Sequence, residues 1–303
     1  MTSLRLALGA GPLHLELSPR HGGAVAAFRL VTLSGPLDLF RPSPEGEPDA
    51  LFSGCFPMVP FANCIRDNRF AFGGRAYEVA ANMPGSRLNF HGSGWQCAWA
   101  VTGSDRTSAE LQLTNGIVDD VYRYAAVQRF ELAPDSLEVT TTLTNRGDVT
   151  MPFSFGQHPW FPRHGDVRLR FAASGRWRAD AEGQTVALVP VEGDADYECW
   201  REPPREYRND CYAGWSGRAE IAWPDVGIGM IIEADRIFRH LMFHVPRNDM
   251  LVFCLESQTN APCAFDGLEE GRAVPGVIVL APGESVSGTI RFRLRSLDGS
   301  GSA

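Results

Sequence analysis

Leu137-Glu138-Val139-Thr140-Thr141-Thr142-Leu143-Thr144 sets Leu137, Val139, Thr141 and Leu143 against Glu138, Thr140, Thr142 and Thr144. A strand sends successive side chains to opposite faces, so a period of two separates these sets into a dry face and a wet one. The same alternation returns upstream and downstream. Val167, Leu169 and Phe171 alternate with Arg168 and Arg170. Val286, Gly288, Ile290, Phe292 and Leu294 alternate with Ser287, Thr289, Arg291, Arg293 and Arg295. One-faced alternation marks antiparallel sheets, and turn signals such as Asn145-Arg146-Gly147-Asp148 and Ala281-Pro282-Gly283-Glu284 punctuate it. No segment longer than about two turns keeps a helical stripe. The pattern predicts an all-β fold, a large antiparallel β-sandwich, as a single domain over residues 1–297.

Two stretches break the pattern. Residues 32–50 carry Pro36, Pro42, Pro44 and Pro48 and read as a surface loop. Residues 192–211, rich in Asp, Glu, Pro and Arg, read as a long irregular excursion. The tail 298–303 is expected to be disordered.

Composition removes whole classes of chemistry. All 28 basic residues are arginine. A chain without lysine forms no Schiff base with a substrate or with pyridoxal phosphate, and it lacks a Walker A phosphate loop. The net charge of −8 argues against a nucleic-acid or anionic-membrane partner. The 7 cysteines, at 55, 64, 97, 199, 211, 254 and 263, include no CxxC pair, which argues against a disulfide framework or a zinc ribbon. The N-terminal residues lack the apolar core of a signal peptide, and no run of 18 apolar residues spans a membrane. A reduced, cytoplasmic protein is expected.

Three segments carry titratable groups in places suited to chemistry. Glu256 closes the apolar run Leu251-Val252-Phe253-Cys254-Leu255 and precedes Ser257-Gln258-Thr259. In a strand, Cys254, Glu256 and Gln258 share one face, and Gln258 can hydrogen-bond Glu256. A carboxylate in apolar surroundings has a raised pKa and can act as a general base, whereas an exposed strand glutamate would do nothing. His158 lies in Phe153-Ser154-Phe155-Gly156-Gln157-His158-Pro159-Trp160-Phe161, where Pro159 biases it to an extended conformation. Such a histidine can hand a proton to a ligand, or it can be a satisfied core residue. His91 lies in Asn89-Phe90-His91-Gly92-Ser93-Gly94-Trp95; its glycines permit close backbone approach to a ligand, or form a turn with an incidental histidine. Trp95, Trp160 and Phe61 are candidate stacking surfaces for a ring. No two of His91, His158 and Glu256 have the spacing of a metal-binding motif, and His240 and His244 would only share a strand face, so neither a metal nor another cofactor is expected.

Taken together, these segments resemble the aldose 1-epimerase (galactose mutarotase) family over roughly residues 12–295. The resemblance includes Phe56-Pro57-Met58-Val59-Pro60-Phe61-Ala62-Asn63, the run from Phe70 through Gly73-Gly74-Arg75-Ala76-Tyr77, and Asn89-Phe90-His91-Gly92 with Trp95. It extends to His158-Pro159-Trp160-Phe161, Asn209-Asp210-Cys211-Tyr212 and Cys254-Leu255-Glu256-Ser257-Gln258-Thr259. It implies a galactose mutarotase-like supersandwich with a sugar site in a concave cleft. The implied activity is interconversion of the α and β anomers of a free aldose. By the same resemblance Glu256 is the general base and His158 the general acid. His91 binds or polarises the sugar, and Asp210 binds its hydroxyls. Asn63, Trp95, Trp160 and Gln258 are this reading's further candidate substrate contacts. One departure stands out: the family's usual Asn-Arg-Ile is Asn63-Cys64-Ile65 here. Arg66, two positions on, would share the face of Cys64 in a strand and so is a candidate replacement. A non-catalytic carbohydrate-binding protein and a hexose-6-phosphate mutarotase are the alternatives. Ser93-Gly94-Trp95-Gln96, where the phosphate-specific relatives carry basic residues, favours a neutral sugar. The preferred aldose and the oligomeric state are not legible.

Overall fold

The computed structural model describes residues 5–44, 49–180, 184–268 and 274–297. Two antiparallel sheets dominate it. The larger has eleven strands, in the order Leu6–Ala10, Leu13–Ser18, Ala24–Thr32, Cys55–Met58, Gly156–Pro162, Val252–Gln258, His240–Val245, Arg208–Ala213, Gly175–Ala179 and Thr185–Val189, with Gly35–Asp38 added beside Ala24–Thr32. The smaller has eight, in the order Arg168–Phe171, Arg218–Trp223, Ile228–Ala234, Ser285–Ser296, Ser136–Asn145, Tyr122–Ala133, Ser108–Val118 and Ala100–Ser104. Among the described residues the only helical segments are short 3₁₀ turns, and none is long and apolar enough to cross a membrane.

The alternation that predicts the fold is the alternation the structure uses. Along Ser136–Asn145, buried and half-buried residues alternate without a break. Leu137, Val139 and Leu143 enter the core together with Ile290 and Phe292 of the neighbouring strand. From the larger sheet, Phe161, Phe243, Phe253 and Leu255 meet them. The Phe40 ring bridges the two layers, 5.4 Å from Phe161 and 5.0 Å from Phe292, both edge-on. Each such aromatic, fully buried, contributes about 1.5–3 kcal/mol of apolar transfer free energy.

Two loop expectations are corrected here. Residues 32–50 include the edge strand Gly35–Asp38, and Leu39 and Phe40 are fully buried. Pro36 sits within that edge strand, and the Leu39-Phe40 pair after it seeks the core. The irregular excursion stops at Tyr207, because Arg208–Ala213 is a strand of the larger sheet. The expected disordered tail lies outside the described residues.

The larger sheet is buried on both faces near its middle. Every residue of Val252–Gln258 is buried. Its odd-numbered side chains Phe253 and Leu255 join the core between the sheets. Cys254, on the other face, belongs to a separate cluster with Phe56, Met58, Ala62, Trp95 and Trp160. That second cluster is the floor of the candidate site.

Candidate active site

Two neighbouring strands position the central pair. Gly156 opposes Gln258 and Trp160 opposes Cys254, so the register sets His158 opposite Glu256. All of these side chains lie on the face turned away from the smaller sheet. His158 Nε2 lies 3.3 Å from Glu256 Oε1. Glu256 keeps 2% of its surface exposed and His158 7%. Gly156 makes this close pairing possible: a Cβ there would stand 2.6 Å from the Ser257 carbonyl oxygen. The His158 ring is stacked 4.4 Å from Phe56 and 5.1 Å from Trp160. Aromatic faces on both sides fix its orientation, as a proton-transfer group requires.

His91 enters from a loop. The Asn63 N–H donates to His91 Nδ1 at 3.0 Å, and the His91 N–H donates to the Asn63 carbonyl at 2.8 Å. Asn63 and His91 take left-handed backbone conformations, with φ of 59° and 62°. Gly92 follows with φ 64°, and a Cβ there would meet Pro60 Cδ at 2.3 Å, so glycine is required by both conformation and space. Because Nδ1 accepts, the neutral ring carries its proton on Nε2. The His91 ring stands 5.3 Å from His158, edge to face.

Burial sets the protonation of this group. It raises the Glu256 carboxyl well above the usual carboxylate range. It lowers His158 well below the usual imidazole range, with His91, His244 and Arg41 adding cationic repulsion. His91 is lowered to about 3, first by burial and then by His244. Between these limits the His158–Glu256 pair holds one proton. Glu256 Oε2, His158 Nδ1 and Trp160 Nε1 are buried without a protein hydrogen-bond partner. Buried polar atoms are nearly always satisfied, so such a cluster on one face points to a polar ligand.

The other expected residues divide. Trp160 lies on the site face, level with Cys254. Trp95 belongs to the same cluster, but its indole N–H donates to the Phe90 carbonyl and its ring packs 5.9 Å from Phe56. Gln258 shares the Glu256 face as expected, yet its amide donates to the Asn260 carbonyl at 2.7 Å instead of to Glu256. Phe61 packs in the main core against Tyr122 and Phe265, away from the site face. Arg66 lies in a 3₁₀ turn, not a strand, and its guanidinium is held by Asp266, the Thr185 carbonyl and Gln184. Cys64 stands with its thiol 3.7 Å from that of Cys263.

Asp210 is not brought to Glu256. It opposes Phe243, which opposes Leu255, and so it points to the inner face. There it is ion-paired with Arg176 at 2.8 Å and Arg208 at 3.3 Å. Asn209, its neighbour, opposes His244, which opposes Cys254, and thus shares the site face. Three residues to which the sequence reading gave no site role line this face: Asn209, His244 and Arg41. The Arg41 guanidinium lies 4.2 Å above the Trp160 ring and donates to the carbonyls of Leu51 and Ser53. The HxxxH spacing of His240 and His244 was the available signal for the second; nothing local marks Arg41.

His158, Cys254 and Glu256 bring one donor atom each within 4.8 Å of one another, the one such group among the described residues. A thiol binds metal as thiolate, and burial raises Cys254 well above its usual range, which keeps it protonated.

Comparison with known proteins bears on this geometry. The family model described as aldose 1-epimerase matches residues 18–293. A protein of Escherichia coli K12, YphB, described as uncharacterized, is 34% identical over 300 residues, which cover 96% of this chain and 98% of its own. A crystal structure from Escherichia coli K12, described as a candidate aldose 1-epimerase, superposes with a TM-score of 0.90 at 30% identity, over 97% of this chain and 99% of that one. A galactose 1-epimerase of Lactobacillus acidophilus shares the fold, with a TM-score of 0.76 at 15% identity over 96% of this chain and 94% of that one.

Proposed function

The chain belongs to the aldose 1-epimerase family, a family of isomerases, and on that premise we propose that it interconverts the α and β anomers of a free, non-phosphorylated aldose. The observation that carries the reading is the buried His158–Glu256 pair, with His158 Nε2 and Glu256 Oε1 3.3 Å apart. Burial favours the pair's proton on Glu256; once it passes to His158 across the 3.3 Å contact, Glu256 is a base and His158 an acid. Glu256 takes the proton of the anomeric hydroxyl while His158 donates to the ring oxygen, and the C1–O5 bond breaks to give the open aldehyde. The proton count of the pair is unchanged, but the proton now sits on Glu256. Rotation about C1–C2 presents the other face of the carbonyl. His158 then removes the O5 proton and Glu256 returns one to the carbonyl oxygen as the ring closes. The two tautomers of one buried pair thus serve the two halves of the reaction. His91, a donor through Nε2, polarises a sugar oxygen beside them.

A neutral sugar fits the charges better than a sugar phosphate. Arg41 is engaged by two carbonyls and an indole face, Arg66 by Asp266, and Arg208 by Asp194 and Asp210. Ser93 hydrogen-bonds Tyr124 at 2.9 Å and offers no positive charge. The seven free cysteines support a reducing, cytoplasmic setting. Polarimetry on freshly dissolved α-D-glucose, α-D-galactose and further aldoses tests the reaction: faster approach to anomeric equilibrium than buffer is expected. Sugar affinity with no acceleration for any aldose would leave a binding protein instead. Stronger competition by a hexose 6-phosphate than by the free hexose would move the substrate to the phosphorylated class.

A further inference from the structure

Beyond the acid–base pair and His91, the site face holds a second polar arrangement. His244 lies on the strand next to that of Glu256, level with Cys254 and on the same face. It is half-buried, its ring edge-on to Trp160 at 5.7 Å and to Tyr207 at 5.9 Å. It is close enough to His91 and His158 to weigh on the charge of both. His158 and His244 flank the strand of Glu256 from either side, two strand spacings apart and staggered by two residues along it.

The hydrogen bonding of His244 fixes what it can offer. Its Nδ1 lies 2.9 Å from Asn209 Oδ1, an acceptor, so Nδ1 carries the proton. Burial lowers this imidazole to about 4, so the ring is neutral and Nε2 is a bare lone pair. The ring hydrogen-bonds Asn209 through Nδ1, with the Arg208 backbone also beside the ring. The nearby Trp160 Nε1–H is buried and lacks a partner. An acceptor beside a free donor suits a hydroxyl, which both donates and accepts. His91 presents the opposite polarity, an Nε2–H donor, on the far side of His158.

We propose that His244, oriented by Asn209, forms a further subsite of the cleft in which Nε2 accepts a hydrogen bond from a hydroxyl of the aldose. It rests on the mutarotase reading above and adds to it a residue that selects among aldoses. A neutral imidazole acceptor takes a hydroxyl and repels an anionic oxygen, which ties the subsite to uncharged sugars. Asn209 is a positioning residue, because it acts by holding the imidazole proton on Nδ1.

The test compares the wild-type protein with His244→Phe on the preferred aldose and on its monodeoxy analogues. One neutral hydrogen bond corresponds to roughly a tenfold rise in KM with kcat within about twofold. One deoxy analogue, lacking the hydroxyl that His244 holds, is expected to be turned over equally well by both proteins. An unchanged KM, or an equal loss on every analogue, overturns the subsite. A merely structural asparagine is excluded by nitrogen NMR of the unliganded protein. The Nδ1–H tautomer of His244 is expected in wild type and in Asn209→Asp, and the Nε2–H tautomer in Asn209→Leu, with KM raised only in the leucine variant. A tautomer indifferent to Asn209→Leu overturns its role. If the wild-type protein accelerates no aldose, the mutarotase reading fails, and the subsite is judged by aldose titration. About tenfold weaker binding by His244→Phe sustains it, and an unchanged Kd overturns it.

Discussion

The outward faces of the two sheets are built from the same two-residue alternation but stand in opposite surroundings. On the smaller sheet the outward residues of Ser136–Asn145 and Ser285–Ser296 form a ladder: Thr140 with Thr289 at 2.9 Å, Thr142 with Ser287 at 3.1 Å and Thr144 with Ser285 at 2.8 Å, beside a Glu138–Arg291 ion pair. These polar groups are satisfied across the strands and by water, and such pairs are worth about 0.2–1 kcal/mol each. On the larger sheet the outward residues His158, Cys254 and Glu256 are covered by Trp95, Trp160 and the loops bearing Arg41 and His91. Covering removes the water that would satisfy them. Glu256 is pushed up, His158 down, and buried polar atoms are left for a ligand. The lesson is that a polar residue on a strand becomes chemical when its face is closed, not when its neighbours change.

The contrast can be broken by mutation. The largest effect is expected for Glu256→Gln, which keeps shape and removes the base. In polarimetric assays kcat should fall by about 10²–10⁴-fold, and retention of more than a tenth of wild-type activity would refute the assignment. Next comes Asp210→Ala. Asp210 faces inward against Arg176 and Arg208, so its loss takes the paired carboxylate from Arg176 and leaves Arg208 to Asp194 and Glu206. We expect denaturant melts to show about 3 kcal/mol of destabilisation, with kcat/KM within about threefold. A collapse of activity in a protein that still folds would return Asp210 to the sugar site.

Smaller is the pH dependence of stability. The folded Glu256 carboxyl binds its proton more tightly than the unfolded one, whose pKa is about 4.3. Its contribution is therefore fully present below that pH and is lost as pH rises through the folded value. Glu256→Gln removes this loss, so its Tm advantage over wild type should widen from pH 4 to pH 9. The depressed histidines act on the other side. Unfolded imidazoles charge below about pH 6.5, while His91 and His244 charge only near 3 and 4. Stability therefore falls as pH drops from about 6.5 toward those values. A parallel pH profile for the Gln variant and wild type would contradict the buried-carboxyl account. The smallest effect sits on the wet face: Thr142→Ala should cost about 0.5 kcal/mol or less and leave kcat/KM unchanged. A larger loss of activity there would erase the distinction between the two faces.

Local sequence carries the strands and the central glutamate because a strand's pleat is itself local. Alternation in 137–144 and 286–295 follows from backbone geometry within each segment, and the same rule places Cys254, Glu256 and Gln258 together. It fails where one position decides the face. Asn209 and Asp210 are adjacent, and a one-residue change of register exchanges them. Only pairing with His240–Val245 shows that Asn209 faces the site and Asp210 the inner layer. Arg66 does not line up with Cys64 for a similar reason, since no strand holds the two: Cys64 makes an isolated bridge to Phe90, and Arg66 begins a 3₁₀ turn.

The order of residues is enough to establish an all-β protein, to rule out lysine chemistry, and to say which side chains share a face with Glu256. All of these follow from composition or from contacts between near neighbours in the chain. The tertiary structure alone decided that His158 stands opposite Glu256, that His91 is clasped by Asn63, and that Arg41 and His244 complete the enclosure. Those placements depend on strand register and on loops folding back from distant parts of the chain, and it is this long-range enclosure, by excluding water, that leaves the pair holding one proton.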